Sequence, residues 1–523
     1  MPVRCEWCPL MLLGSLLLCQ AVAVPLHGSA AEEPIVGACW IRGERVRDDV
    51  IQLRVAVKHN QSGLRMLENA VLAVSDPSSP RYGRHMSIEQ VQALIAPPPS
   101  ALQTVRDWLQ SSVPAGVMQE SSNGDFIFGL VEARTVEMLL GVTLHHYHCA
   151  TRGVTIVRPR NEPKLPSNVS KVVDFVTPGF RFLAVRRAHD VLKKMKQPAS
   201  TPTMEGVSPS MLRMLYNIST SGGKSSATQA VASFLHEYFS PSDLLAFQQR
   251  FSPVSQGQTP KVVGSNVPSS PTLEASLDIQ YLMSVAPGVA TEFWYTNGTQ
   301  PHNPGAEPFV EFLAAISETP DKTVPKVFSI SYADDENQVE MAYARRVSAE
   351  LQKAAARGIS MLVASGDFGV AGNTNQNCHG KPYIPTFPAA CPFITVVGGT
   401  WCQKPEIAFE ISSGGFSNLF ARPQYQDKAV GWFLKSARKA GKLPPPHRYN
   451  ATGRAFPDIS AQSANFPIRV KGADDAACKF RCPPPYVSYL CAIWVCWIAC
   501  ACICNSPAVP RTVSFPGAPA SSN

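Results

Sequence analysis

The run Gly358–Gly369, GISMLVASGDFG, places short apolar residues between an alanine-rich basic stretch and a Ser-Gly-Asp exit. That pattern predicts a buried strand whose carboxyl end carries Asp367 into a turn. Upstream, Val327–Tyr332 predicts a second buried strand, and Gln338–Ala356 between them has its apolar positions on one side of a helix. A strand, helix, strand unit of this kind belongs to a parallel sheet covered on both faces. Such sheets carry their chemistry just past the carboxyl ends of the strands. Asp367 and the acidic run Asp334, Asp335, Glu336 both fall there. The plain alternative for Asp367 is a turn aspartate that caps a helix or its own backbone. A third apolar run, Phe393–Val397, leads into Gly398, Gly399 and Thr400 and predicts the next strand.

The first part of the chain alternates differently. Gln52–Lys58 reads as a strand, Gly63–Val74, Ser87–Ile95 and Ala101–Leu109 as helices, Asp125–Leu130 as a strand and Glu132–Leu140 as a helix. This predicts a compact α+β domain. Within it LHHYHC, Leu144–Cys149, is read as an edge strand rather than a metal site, because alternate side chains of a strand do not converge on one ion. KKMKQPASTPTM, Lys193–Met204, is the best linker in the chain, either a place where processing would cut to remove the first domain or a plain interdomain connection. Beyond it, Ser208–Tyr216, Ala227–Glu237 and Pro241–Arg250 are predicted helices.

The segment TLEASLDIQYLMSVAP predicts a helix with Leu273, Leu277, Tyr281 and Leu282 on one face and Thr272 as a cap. Glu274 and Asp278, four apart, share a face. Two carboxylates so placed repel each other, and they gain a purpose where one must be held ionised or poised as a base in acid. The alternative is a solvated face with a chance acidic pair. Further on, Ser412-Ser413-Gly414-Gly415-Phe416-Ser417 reads as a loop that can wall a peptide groove.

Composition narrows the class. The chain has 523 residues, 45% of them hydrophobic and 16% charged, enough for a large buried core and more than one domain. The formal +8 is spread without a basic, aromatic-interleaved stripe, so nucleic acid is not expected as a partner. The first 23 residues carry one early arginine, an apolar run and a small-residue exit, the pattern of a secretory signal peptide. Sequons at Asn60, Asn168, Asn217, Asn297 and Asn450 agree with that route and are the expected glycosylation sites. Cysteines are sparse in the body and crowd between Cys478 and Cys504.

The motifs YNIST, LEASLDIQYLMS, SISYADDE, ELQKAAARGISMLVASGDFG, TFPAACPFITVVGGT, ISSGGFSNLF and NATGRAFPDISAQS together resemble the sedolisin family, the serine-carboxyl peptidases, from about Ala30 to Ser463. The resemblance implies an α/β, subtilisin-like catalytic domain with a parallel seven-stranded sheet, preceded by an α+β ferredoxin-like activation pro-domain. It divides the chain into signal peptide 1–23, pro-domain 24–196, processing linker 197–207, catalytic domain 208–465 and a divergent Cys-rich tail 466–523. It assigns Glu274 as general base toward a serine, Asp278 as the carboxylate that orients it, and Asp367 as the acid at the oxyanion site. It implies removal of tripeptides from free N-termini in the lysosome, peptide substrates and the chain's own pro-domain as partners, and calcium as cofactor.

The chain departs from the family after Ala464. The Gly-Thr-Ser-Ala-Ser nucleophile motif and the calcium-binding segment are absent from its remaining residues, and Ser463, Ser488, Ser506, Ser514, Ser521 and Ser522 lack the motif's context. No nucleophile and no metal ligand is assigned. Tyr486–Cys504 is apolar and long enough to span a bilayer. The preferred explanation is an abnormal C-terminus from a retained intron, a skipped exon or a faulty gene structure, over a membrane anchor or a cysteine metal site. The expectation is therefore an acid serine peptidase precursor that is inactive as it stands. The rival reading is a non-catalytic form that binds peptides or the intact enzyme.

Overall fold

The computed structural model describes residues 40–149, 154–179, 206–219, 227–298, 306–372, 381–401, 406–409 and 411–477. The signal peptide, most of the processing linker and the apolar Cys-rich run lie outside the described residues.

The N-terminal unit is built on a four-stranded antiparallel sheet in the order Met118–Glu120, Phe126–Glu132, Val50–Val57, Val173–Thr177. Taken in chain order, the strands and the helices between them trace the split β-α-β arrangement of a ferredoxin-like unit. Leu53, Val55 and Val57 alternate inward and pack on Val105, Leu109, Val136 and Leu140 of the covering helices. The helix Gln61–Ser75 starts where Asn60 Oδ1 accepts from the amides of Ser62 and Gly63. Leu144–Cys149 is the middle strand of a separate three-stranded sheet, flanked by Trp40–Arg45 and Val154–Pro159, and not an edge. Its histidines bond to three different groups, the carbonyl of Gly43, the carboxylate of Asp49 and the hydroxyl of Thr155.

The larger unit holds an eight-stranded sheet. Seven strands run parallel: Lys261–Val263, Ala290–Tyr295, Thr228–Ser233, Val327–Ile330, Ser360–Ala364, Thr395–Trp401 and Ile459–Gln462 in spatial order. Ile407–Ala408 pairs antiparallel on the far end of Thr395–Trp401. Thr228–Ser233 corrects the helix expected over Ala227–Glu237. Covered on both faces, it has no polar side to alternate, and its alanines fit between the close-packed layers.

The Leu273–Val285 helix lies in the core, with every residue from Ala275 to Val285 buried. Thr272 does not cap it with its side chain; the hydroxyl instead exchanges hydrogen bonds with the backbone of Tyr238. The chain remains folded past Ala464, as a hairpin of Phe466–Val470 and Ala473–Ala477. Phe466 meets the Tyr281 ring edge-on at 5.0 Å, and Gln280 bonds both the amide and the carbonyl of Arg469. The hairpin thereby adds Phe466 and Ile468 to the core around that helix.

The two units meet along the Met341–Ala356 helix. Arg346, 1% exposed, donates to the carbonyls of Val57 and Asp125 and pairs with Asp125, Asp174 and Glu350. Lys353 Nζ lies 3.0 Å from Asp125 and 2.6 Å from Glu350, and His59 Nε2 lies 2.9 Å from Asp125. Around this charged centre, Ala56, Phe126 and Phe175 of the first unit join the apolar core of the second.

Candidate active site

Three sequence-predicted carboxylates sit at one end of the parallel sheet. Asp278 is 1% exposed, and its Oδ1 accepts from Ser331 Oγ at 2.9 Å. Ser331 is the first residue after the strand Val327–Ile330, so the bond ties the helix to that strand's carboxyl end. Glu274, one helical turn earlier, is partly exposed. The Tyr332 phenol is pushed well up, by burial first and then by the carboxylates of Glu237, Glu274 and Asp278. These three carboxylates therefore all lie near the Tyr332 hydroxyl. A solvated polar face is ruled out for Asp278 by its burial.

Asp367 lies beyond the neighbouring strand, Ser360–Ala364, in a turn fixed from three sides. Gly366 has φ +109°, and a Cβ there would stand 2.9 Å from Ser413 Oγ and from Thr386 Cγ2. Only glycine fits. Thr386 Oγ1 donates to the Ser365 carbonyl at 2.6 Å, the Phe368 amide donates to Ser413 Oγ at 3.1 Å, and the Gly369 amide donates to the Ile411 carbonyl at 2.8 Å. Asp367 itself is partly exposed at the tip.

The acidic run after Val327–Ile330 is structural on one side. Asp334 and Asp335 form a two-residue strand paired with Thr386–Phe387. Glu336 is buried and accepts from the Ser417 hydroxyl and from the amides of Asn418 and Leu419, at 2.7 and 3.4 Å for the amides. It thereby positions the strand Gly415–Ala421, which takes in Gly415, Phe416 and Ser417 of the segment expected as a loop. Burial raises its pKa against the pull of those donors.

Sequence reasoning missed Ser331 and the grip of Glu336 on Ser417. A hydroxyl directly after a buried strand was the one available signal for the first. Ser463 is buried and donates its hydroxyl to the Thr400 carbonyl at 3.0 Å. Of the sequon asparagines, Asn168, Asn217 and Asn297 are exposed, while Asn60 and Asn450 are half-buried with their side chains in local hydrogen bonds.

Calcium does not fit the one ligand-like grouping of side chains among the described residues. The grouping with ligand-like spacing is His59, Asp125 and Glu350, buried at the contact between the units. Lys353 and Arg346 already fill it with positive charge.

Comparison with known proteins adds to this geometry. The profile of the Pro-kumamolisin activation domain matches residues 40–182, the N-terminal unit. Tripeptidyl-peptidase 1 of Homo sapiens is 38% identical over 444 residues, covering 82% of this chain and 76% of that protein. The Mus musculus protein of the same name is 36% identical over 470 residues, covering 87% and 80%. The chain belongs to the sedolisin family. It is the precursor of a sedolisin-family peptidase, with the N-terminal unit as its activation domain. Among solved structures, Pseudomonas sedolisin, a serine-carboxyl proteinase complexed with two molecules of pseudo-iodotyrostatin, aligns at TM-score 0.39 and 19% identity, over 57% of this chain and 78% of that one. In this sedolisin-family chain no described helix is long and apolar enough to cross a membrane.

Proposed function

We propose that this chain is an acid peptidase precursor of the tripeptidyl-peptidase type, sent through the secretory pathway toward the lysosome, and that it does not cleave peptides in its present form. The observation that carries the reading is Asp278, buried and held by Ser331 on the helix that also carries Glu274. Glu274 would take the proton of an attacking serine, Asp278 would orient Glu274, and the two titrate as one coupled pair. Asp367, held protonated, would donate to the oxyanion. The substrates are polypeptides with free N-termini, and the N-terminal unit is the first partner.

The missing part is the nucleophile. A hydroxyl must come within about 2.6–3.2 Å of its base, and no carboxylate replaces it. Losing it costs on the order of a million-fold in turnover. The test compares the chain with a second protein, identical through Ser463 but carrying a family-type C-terminus, on a chromogenic tripeptide at acidic pH. Cleavage is expected from the second alone, and Glu274→Gln should abolish it. Activity of the natural chain, with a serine-directed label on one of its tail serines, would overturn the assignment. In the restored protein, acid should also release the N-terminal unit by a cut between Lys193 and Ser208 that Glu274→Gln stops.

The alternative is a non-catalytic form that binds peptides or the intact enzyme. The absent motif favours it, and retention of an uncleaved tripeptide substrate by the natural chain would establish it. Glycosidase treatment should lower the apparent mass of the product; an unchanged mass would remove the secretory and sequon readings together.

A further inference from the structure

The helix Asp427–Lys439 lies on the outside of the peptidase unit and buries Val430 alone. Trp432 is 71% exposed and Phe433 50% exposed. At 100° per residue, Lys428, Lys435 and Lys439 project beside Trp432, on the side turned away from Val430. All three lysines, and Arg438 next to them, are exposed.

Asp427 is the one acid in residues 427–442, and its carboxylate lies 2.8 Å from Arg422 Nε. Among the described residues none of the four cations sits in an ion pair. The outer face is therefore cationic, with an indole standing out of it.

A bilayer accepts a projecting tryptophan at headgroup depth without needing a matching shape. Lysines around the ring would meet lipid phosphates. The chain's own residues 478–523 are a poor occupant, since they carry Lys479, Arg481 and Arg511 and no Asp or Glu. The geometry points to a peripheral docking surface for anionic phospholipid membranes, formed by Trp432, Lys428, Lys435 and Lys439. It is a surface contact and needs no membrane-spanning segment.

The experiment is flotation of the purified full-length chain with phosphatidylcholine vesicles, with and without phosphatidylserine. Binding is expected to the anionic vesicles and to weaken with added salt. Changing Lys428, Lys435 and Lys439 together to Gln should lower binding on the order of a hundred-fold, at about five-fold per cation. Trp432→Ser should lower it about ten-fold. The three Lys→Arg changes should leave it intact, and matching thermal unfolding of all variants confirms their folding. Equal binding by the Lys→Gln protein assigns the membrane contact to another segment and overturns the proposal. So does binding that ignores phosphatidylserine. Retention on polyglutamate without binding to vesicles would reassign the surface to an acidic polypeptide.

Discussion

Asp125, at the contact between the two units, and Glu336, beside the candidate site, are each 2% exposed, yet their carboxyl groups are shifted in opposite directions. Burial pushes the Asp125 carboxyl up, but Lys353 and Arg346, with His59 beside them, outweigh it and hold the group well below the usual carboxylate range. Glu336 meets only neutral donors, the Ser417 hydroxyl and two backbone amides, and there burial wins and its pKa rises. Depth sets the cost of a charge, and the neighbours decide whether the charge persists. The consequence follows the two roles. The interface carboxylate stays ionised to lower pH, while the carboxyl that holds the strand Gly415–Ala421 keeps its proton to higher pH.

The largest expected effect comes from removing the counter-charge. Asp125→Asn leaves Arg346 and Lys353 buried with too little negative charge, and should destabilise the precursor by about 3–5 kcal/mol. Urea unfolding at neutral pH measures this; a loss under about 1 kcal/mol, the size of an exposed pair, would remove the interface half of the contrast.

A smaller effect is expected at Glu336. Its folded pKa is raised, so its contribution is complete below the ordinary carboxylate value and is lost as pH rises through the folded value. Hydrogen-exchange protection of the Asn418 and Leu419 amides should fall over that window. Glu336→Gln should flatten the response and cost about 1 kcal/mol, since one acceptor remains. An unchanged pH response in this variant would show that Glu336 is not the titrating group.

The smallest change is one of slope. The imidazole of His59 is pushed down by burial first and by Arg346 second. The separated unit then binds a proton that the assembled one refuses, so assembly is strongest above about pH 6.5 and weakens as pH falls below it. Asp125, depressed, loses its contribution only when pH falls through its own lower value. Between the ordinary carboxylate and imidazole values, His59 supplies acid weakening together with His85, which burial and Lys326 of the second unit push down in the same way, and His59→Gln should make separation of the N-terminal unit less pH-dependent. Sedimentation velocity on a precursor nicked between the units reads this directly; an identical pH profile for the variant would assign the acid response to other groups.

Local patterns made much of the candidate site legible. Glu274 and Asp278 lie one turn apart, and Asp367 follows a buried strand within three residues, so spacing alone placed them on a helix face and a strand end. Thr228–Ser233 was misread because a strand buried on both faces loses its alternation, and its alanines mimic a helix. Ser331 and Ser417 stayed silent because their partners lie 53 and 81 residues away. Arg346 reaches 289 residues back to Val57, a pairing no window along the chain contains.

By itself, the sequence determined the family, the order of the two units, the carboxylates at the strand ends and the absence of the nucleophile motif, since each is written in residues close together along the chain. Only the tertiary structure decided which carboxyl groups keep a charge. That depends on which cations or hydroxyls the fold delivers to a buried oxygen, and an electrostatic field acts through space whatever the separation in sequence.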